Sequence, residues 1–263
     1  MTEQLVQLAV EAGVATITLD SPSNRNALSA TLVGQLTEAL ASVRDDAQVR
    51  AVKLTHTGGT FCAGADLSEA LKRGLSPEQA TAEGTSAMSG LMRTILVLPK
   101  PVVAVIDGHV RAGGLGILGA ADMVVAGPSS TFALTEVRLG LAPSMISVVL
   151  LPKMTARSAG RYFLTGEKFD QRVAEQTGLV TVGADSSEDL VAQSDSIFDA
   201  IRKASPQGLA VSKSLTTAGV LADFDARASA RAEESAGLFR SDEAREGMTA
   251  FFAKRKPSWD VSG

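Results

Sequence analysis

The sequence predicts an α/β fold in which strands and helices alternate and a helical region ends the chain. Short β-patterned runs alternate with amphipathic stretches, two of the runs are followed by glycine-rich turns, and the pattern is mainly helical from Thr155 onward. This alternation is typical of helices layered on a sheet. The 263 residues, 45% of them apolar, can bury a substantial core without disulfides.

The N-terminal part of the chain is predicted to form a hairpin, a helix and a buried strand. Residues 5–10 and 14–19 are β-patterned and flank a turn that contains Gly13. Ser29 is a predicted N-cap for an amphipathic helix with apolar residues at helical spacing, and residues 50–55 form the next strand.

The middle of the chain combines two glycine-rich segments with helices and strands. Residues 57–67 are predicted to be a loop that other backbone approaches closely, and residues 68–89 a loosely constrained helical stretch that carries variable substrate contacts. Residues 91–98 form an apolar helix that ends at Pro99 and Pro101.

The same order of strand, glycine turn and helix then recurs. Residues 102–106 are a predicted strand, Asp107 and Gly108 a turn, residues 112–116 the start of a helix, and residues 123–126 another strand. Later helices are predicted to begin at two serine-containing pairs, Ser205-Pro206 and Ser241-Asp242. We expect a core over residues 1–204 and a helical region over residues 205–263.

Composition excludes several functional classes. The formal net charge of -4 provides no positive field to attract nucleic acid or an anionic membrane. The densest apolar runs are much shorter than the roughly 20 residues that cross a bilayer. Cys62 is the single cysteine and the first residues do not resemble a signal peptide. We therefore expect a cytoplasmic protein with no nucleic-acid or membrane partner.

The two glycine-rich segments suggest an oxyanion hole. A glycine turn at the start of a helix, as at Gly113-Gly114, presents unpaired N–H groups and the positive end of the helix dipole. The loop at residues 63–66 could supply a second N–H, and two converging donors stabilise a developing enolate. Taken singly, each segment is better explained by tight packing alone.

Four segments together are similar, in order and spacing, to successive signatures of the enoyl-CoA hydratase/isomerase (crotonase) family. They are residues 24–29 (NRNALS), 61–67 (FCAGADL), 101–108 (PVVAVIDG) and 112–114 (AGG). Residues 132–143 (FALTEVRLGLAP) resemble the family's second acidic motif, and residues 164–167, 174–180 and 251–257 also fit. The resemblance spans nearly the whole chain.

This resemblance implies a fold, an assembly and a substrate class. It implies a crotonase-like β-β-α spiral core whose C-terminal helices take part in a homotrimer or homohexamer. The substrate would be an acyl-CoA thioester, and no separate cofactor is expected because coenzyme A is part of that substrate. The oxyanion hole would be formed by the N–H groups of Ala65 and Gly113, and Gly114 is the alternative to Gly113 as the second donor.

The resemblance also assigns the acid/base groups. Hydratases of this family use two glutamates, and the position of the first is occupied here by Gly116, while Glu136 matches the second. Small and apolar neighbours of Glu136 predict a partly dry site with a raised carboxyl pKa. The alternative is a surface carboxylate paired with Arg138.

One carboxyl is compatible with more than one reaction. Hydration of a 2-enoyl-CoA ranks first, with a branched or methylglutaconyl-type acyl group suggested by similar bacterial family members. Isomerisation of the double bond between the 3 and 2 positions is the alternative enzymatic reaction, and a non-catalytic CoA-binding subunit is the alternative outside catalysis. Arg111 could pair with a second carboxylate on the acyl group, or be an exposed turn residue.

CoA-binding residues follow from the same motifs. Arg25, Ala63, Asp66, Leu67 and Lys254 lie where the family contacts CoA, and Lys256 is an alternative to Lys254. The two basic side chains would pair with CoA phosphates, although solvated surface charge is an equally good explanation. Asp66 is also expected to fix its own loop.

Other chemistries are weakly represented. Cys62 is predicted to be a small buried residue because neither His56 nor His109 has the context of a paired base. Two histidines without clustered cysteines do not form a convincing zinc site, so no metal is expected. A serine peptidase lacks a visible Ser-His pair.

Overall fold

The computed structural model of the chain describes residues 3–66, 74 and 77–262. Its larger sheet has six strands in the order β1-β2-β3-β5-β7-β10. β1 and β2 are antiparallel and the remaining neighbours are parallel. These strands are β1 Val6–Glu11, β2 Val14–Leu19, β3 Ala51–His56, β5 Val102–Ile106, β7 Met123–Ala126 and β10 Val182–Gly183.

A smaller sheet of four short strands lies beside the larger one, in the order β4-β6-β8-β9. Its members are β4 Thr60–Cys62, β6 His109–Arg111, β8 Thr131–Ala133 and β9 Phe169–Asp170. The pairs β4/β6 and β6/β8 are parallel, and β9 is antiparallel to β8. Each of β4, β6 and β8 follows a strand of the larger sheet after a short turn, which gives the chain its repeated strand-turn-strand path.

Helices cover both faces of the larger sheet. They are α1 Ala30–Arg44, α2 Pro77–Val97, α3 Gly113–Ala120, α4 Ser144–Leu150, α5 Ala156–Thr165, α6 Gln171–Thr177, α7 Ser187–Arg202, α8 Pro206–Phe239 and α9 Asp242–Phe252. The main core lies between one sheet face and helices that include α1, α2, α3 and α4. A second core lies on the opposite face, where α7 packs against apolar side chains of β5 and β7.

The C-terminal helix α8 is joined to the main core by packing and by a buried ion pair. Phe224 of α8 is part of that core. The ammonium group of Lys213 lies 2.7 Å from a carboxylate oxygen of Asp122 and donates to the carbonyls of Ile95 and Lys100. Asp122 also accepts the N–H of Val102, so one cluster ties α8 to α2 and β5.

The mixed α/β architecture predicted from the sequence is confirmed. The hairpin, the four-residue strand 123–126 and the N-caps at Ser29, Ser205 and Ser241 are all present. The loop predicted over residues 57–67 instead contains β4, and the helical prediction for 68–89 holds from Pro77 onward, the intervening residues being described only at Gly74. The division of the chain at residue 204 stays a prediction.

No helix among the described residues is both long enough and apolar enough to cross a membrane.

Candidate active site

Three backbone segments meet at one edge of the smaller sheet. The loop 63–66 follows β4, the first turn of α3 follows β6, and a 3-10 turn at Thr135–Leu139 follows β8. Because β4, β6 and β8 are parallel neighbours, the segments that follow their carboxyl ends lie side by side. This edge therefore brings together the regions of Ala65, Gly113 and Glu136 that the sequence singled out.

The amide of Ala65 is directed away from the nearest backbone. Leu28 donates its N–H to the Gly64 carbonyl at 2.7 Å and accepts the N–H of Asp66 at 3.2 Å, and Leu28 and Ala65 form an isolated parallel bridge. In that pattern the residue between the two bonded neighbours points its own N–H to the opposite side. Within the described part of the chain, the N–H of the exposed Ala65 has no acceptor and is available as a donor.

The first turn of α3 offers a second donor. Leu115 donates to the Ala112 carbonyl at 2.9 Å, and the Gly114 amide faces the Cys62 sulfur. Of the first three amides of the helix, Gly113 is the one to which the described residues offer no acceptor. This geometry favours Gly113 over Gly114 as the second donor.

The backbone between these donors is tightly packed and strained. Ala112 has a φ of 46° and a ψ of -120°, an uncommon conformation for a residue with a β-carbon. Gly64 has a φ of +100°, and a β-carbon there would lie 3.2 Å from Cβ of Ala112. A β-carbon on Gly113 would lie 2.7 Å from Cδ1 of Leu28. Glycine is therefore required where the two segments approach each other.

Glu136 has the most unusual environment among the described carboxylates of the site. Its Oε2 atom is buried and has no hydrogen-bond partner in the described part of the chain. Burial raises the pKa of the Glu136 carboxyl to about 7, and the hydrogen bond from its own backbone amide offsets part of that rise. Pairing with Arg138, the alternative considered above, is not among the contacts of the described residues, where Arg138 donates from Nε to the Thr165 carbonyl.

The space beside Gly116 is filled by apolar side chains. A β-carbon at this position would lie 2.5 Å from Cγ2 of Ile146, 3.0 Å from Cε of Met88 and 3.0 Å from Sδ of Met92. All three side chains belong to the main core. Apolar side chains therefore fill the space that the side chain of a second glutamate would need, and they exclude water from it.

Only some of the residues predicted to contact CoA lie close to one another. Ala63 donates its N–H to the carbonyl of the exposed Arg25 at 3.2 Å, and Asp66 accepts from the Asn24 side-chain amide at 3.2 Å. This bond joins the 63–66 loop to the turn at Asn24, while capping of backbone N–H groups by Asp66 stays a prediction. Leu67 lies outside the described residues. Lys254 is exposed just beyond the end of α9, and no described contact joins it to the 63–66 loop. Lys256 donates to the Ser262 carbonyl.

Arg111 and the two histidines have structural partners. The Arg111 guanidinium donates to the carbonyls of Val110 and Thr131 and to Oγ1 of Thr131, which joins β6 to β8. Thr131 Oγ1 also lies 2.9 Å from Nδ1 of His109. The Nε2 atom of His56 accepts the Asp107 N–H, and burial lowers the pKa of His56. The contacts of Arg111 favour a structural role over binding of a second substrate carboxylate.

The apolar side chains that shape the site were not predicted from the sequence. Leu28 lies between Ala65 and Gly113, and Ile146, Met88 and Met92 close the space at Gly116. The four-residue spacing of Met88 and Met92 places both on one face of α2 and was the available signal. Nothing in the sequence shows that this face meets Gly116.

Comparison with known proteins decides the family. A family model described as enoyl-CoA hydratase/isomerase matches residues 9–262. The chain belongs to the enoyl-CoA hydratase/isomerase family. The crystal structure of an enoyl-CoA hydratase from Mycobacterium avium is 54% identical, with a TM-score of 0.91, and the match covers 98% of this chain and 100% of that chain.

Curated relatives of the chain carry the names of hydratases and of an isomerase. The chain is 34% identical to the mitochondrial enoyl-CoA hydratase domain-containing protein 2 of Bos taurus, over 93% of this chain and 83% of that protein. It is 29% identical to the 1,2-epoxyphenylacetyl-CoA isomerase of Escherichia coli K12, over 95% and 96%. The crotonase-like fold and the membership of an enzyme family predicted from the sequence are therefore confirmed, at the level of the family.

Proposed function

We propose that this family member is an enoyl-CoA hydratase that adds water across the 2,3-double bond of an acyl-CoA thioester. Glu136 is its single acid/base group, and the amides of Ala65 and Gly113 form its oxyanion hole. The observation that carries the proposal is the buried, unpartnered Oε2 of Glu136 at the edge where the two free amides also lie.

The two amides would act on the thioester carbonyl. Addition of water at the β carbon moves charge onto the carbonyl oxygen, and donors fixed in advance stabilise that charge without reorganising. Loss of one such donor typically costs on the order of 3 kcal/mol of transition-state stabilisation. The strained, closely packed backbone at Gly64 and Ala112 supports a fixed separation of the donors.

Glu136 would move one proton between two atoms. As the carboxylate, it takes a proton from water while the water oxygen bonds to the β carbon. As the acid, it gives that proton to the α carbon, which produces a syn addition. A carboxyl with a pKa of about 7 exists in both forms near neutral pH, as this exchange requires.

Isomerisation of a 3-enoyl-CoA to the 2-enoyl-CoA is the second candidate, and the filled space at Gly116 favours it. A second glutamate would help to orient water, and Ile146, Met88 and Met92 occupy its place. An isomerase needs no attacking water, since Glu136 would take a proton from one carbon of the acyl chain and return it to another through a dienolate.

The remaining features of the proposal concern the substrate and the assembly. Neither reaction requires a resident cofactor, because backbone amides and one carboxyl supply the chemistry and CoA arrives with the substrate. A branched or methylglutaconyl-type acyl group is proposed on the family resemblance alone. Arg111 does not support it, because its guanidinium is already hydrogen-bonded to Thr131. Contacts of Arg25 and Lys254 with CoA phosphates, a homotrimer or homohexamer, and a cytoplasmic location complete the proposal.

Paired substrates test the proposal and separate its alternatives. The purified chain is given a 2-enoyl-CoA in water and, separately, its 3-enoyl isomer, and the absorbance of the conjugated thioester is followed. Loss of absorbance from the first substrate supports hydration. Gain of absorbance from the second without loss from the first makes the protein an isomerase. Binding of both without turnover overturns both enzymatic proposals and leaves a CoA-binding subunit.

A further inference from the structure

The side chain of Cys62 lies against the two segments that carry the proposed donors, the loop 63–66 and the first turn of α3. Cys62 is the last residue of β4 and is completely buried. Its sulfur accepts the Gly64 N–H at 3.4 Å and faces the amide of Gly114. These two amides are immediate neighbours of the proposed donors, one residue before Ala65 and one residue after Gly113.

Close approach at this point depends on the absence of a side chain. A β-carbon on Gly114 would lie 2.7 Å from Cβ and 3.1 Å from Sγ of Cys62. The sulfur thus fits a space that exists only because residue 114 is glycine. A single atom thereby contacts both the loop 63–66 and the first turn of α3.

We propose that Cys62 is a positioning residue for the oxyanion hole: its sulfur accepts the Gly64 amide, packs against the Gly114 backbone and so fixes the separation and direction of the Ala65 and Gly113 amides. This inference rests on the proposed function, because it assigns a support to the same hole. Without the sulfur, the Gly64 amide loses its acceptor, the Gly114 amide loses the atom that it faces, and the two segments can rotate relative to each other. A shift of about 1 Å in a catalytic group can lower a rate by about a hundredfold.

The protonation state of the thiol suits this role. Burial raises the pKa of the Cys62 thiol to about 12, and the amides of Gly64 and Gly114 offset only part of that rise. The sulfur therefore stays neutral at physiological pH. A neutral acceptor can orient the amides without placing a negative charge beneath an oxygen that itself becomes negative in the reaction.

Two substitutions at Cys62 distinguish positioning from simple packing. Cys62→Ala removes the acceptor, and Cys62→Ser restores a smaller acceptor at the same γ position. The matched control is Ser130→Ala, which also deletes one fully buried γ atom that accepts a backbone amide, in this case that of Gly108 at the other end of the smaller sheet. Thermal unfolding of each variant reports on the fold.

The readouts are the kcat and KM for a 2-enoyl-CoA and the absorbance band of bound cinnamoyl-CoA. Donors aligned on the carbonyl of that thioester move its band to longer wavelength. We expect Cys62→Ala to lower kcat by roughly tenfold to a hundredfold with KM changed by less than about threefold, and to reduce the band shift. Cys62→Ser should recover part of both effects, and Ser130→Ala should change neither.

Contrary results separate the two proposals. If the wild type turns over substrate and shifts the band, but Cys62→Ala retains kcat and the shift, Cys62 is not a positioning residue and the proposed function stands. The same conclusion follows if Cys62→Ala loses kcat with an intact band shift. If the wild type itself neither turns over substrate nor shifts the band, there is no hole to position and both proposals fail. Should Cys62→Ala not fold, Cys62→Ser with a wild-type band shift supports the inference, and without one it overturns it.

Discussion

A β-carbon at Gly116 would lie 2.5 Å from Cγ2 of Ile146, so the position that the family resemblance assigns to a first glutamate is closed by a core side chain. Real β-carbons do not approach other atoms this closely. Glycine at this position is therefore matched by the packing around it, as the proposed site with one carboxyl requires.

The first prediction concerns this packing. Gly116→Ala should lower the free energy of unfolding by about 1–3 kcal/mol because Ile146 must move. Ile146→Ala should be costly alone, yet the double variant should be more stable than the sum of the single effects predicts. Urea unfolding measures all three variants. Gly34→Ala in α1, where a β-carbon meets nothing within 4 Å, is the control and should be neutral or stabilising. If the changes in the free energy of unfolding of the two single variants simply add in the double variant, Ile146 does not close the space at Gly116.

The second prediction concerns stability and pH. The pKa of Glu136 is raised from an ordinary 4.5 to about 7 in the folded chain. The folded state therefore holds the proton more tightly, so the stabilisation is complete below about pH 4.5 and is lost as pH rises through 7. Glu136→Gln, which is neutral at every pH, should have the same free energy of unfolding as the wild type near pH 4.5. Above pH 7, the free energy of unfolding of the variant should be higher by up to about 3 kcal/mol.

Chemical unfolding of the wild type and Glu136→Gln across this pH window checks the prediction. Because His56 and His109 titrate in both proteins, the difference between them isolates Glu136. A difference that does not change with pH, or one that grows toward acid, would show that the carboxyl is not desolvated in the folded state.

The third prediction separates strain in the site from strain elsewhere. Gly64 and Gly13 both have positive φ values, +100° and +80°. Alanine at either position should lower the free energy of unfolding by about 1 kcal/mol or more. Only Gly64→Ala should also lower kcat, since its β-carbon would contact Ala112 beside the Gly113 amide. Equal turnover by the two variants, measured with a 2-enoyl-CoA, would argue against a hole at Ala65 and Gly113.

The fourth prediction concerns the attachment of α8. Removing one member of the buried pair between Lys213 and Asp122 leaves an uncompensated charge and should cost about 3–5 kcal/mol. Lys213→Ala should therefore unfold at much lower urea concentration than the wild type. Arg245→Ala breaks the exposed pair with Asp242 and should cost less than about 1 kcal/mol. Similar losses for the two variants would mean that the buried cluster does not tie α8 to the core.

The longer elements of this fold could be predicted from local pattern. Ser29 and Ser205 are recognisable N-caps, and strands such as Val102–Ile106 are long enough to show a period or an apolar run. Strands β4, β6, β8 and β9, of two or three residues each, carry no period at all. The smaller sheet is formed by tertiary pairing and could not be predicted from the sequence.

Residues of the candidate site could be named from the sequence, but the contacts that surround them could not. Glycine turns and the family motifs indicated Ala65, Gly113 and Glu136. The contacts of Cys62 with Gly64 and Gly114, and of Ile146 with Gly116, join residues that are distant in sequence or separated by a turn. Such contacts depend on the path of the whole backbone, which no local pattern specifies.

The central claim is that one carboxyl, Glu136, performs the acid/base chemistry, and the kcat of Glu136→Gln on a 2-enoyl-CoA across pH tests it most directly. The account predicts a wild-type profile with an ionisation near 7 and a variant whose kcat is lower by roughly a hundredfold to ten-thousandfold, with KM little changed. Glu167→Gln, which alters a partly exposed carboxylate paired with Arg161, should behave as the wild type. A Glu136→Gln variant that keeps most of the wild-type kcat would contradict the account.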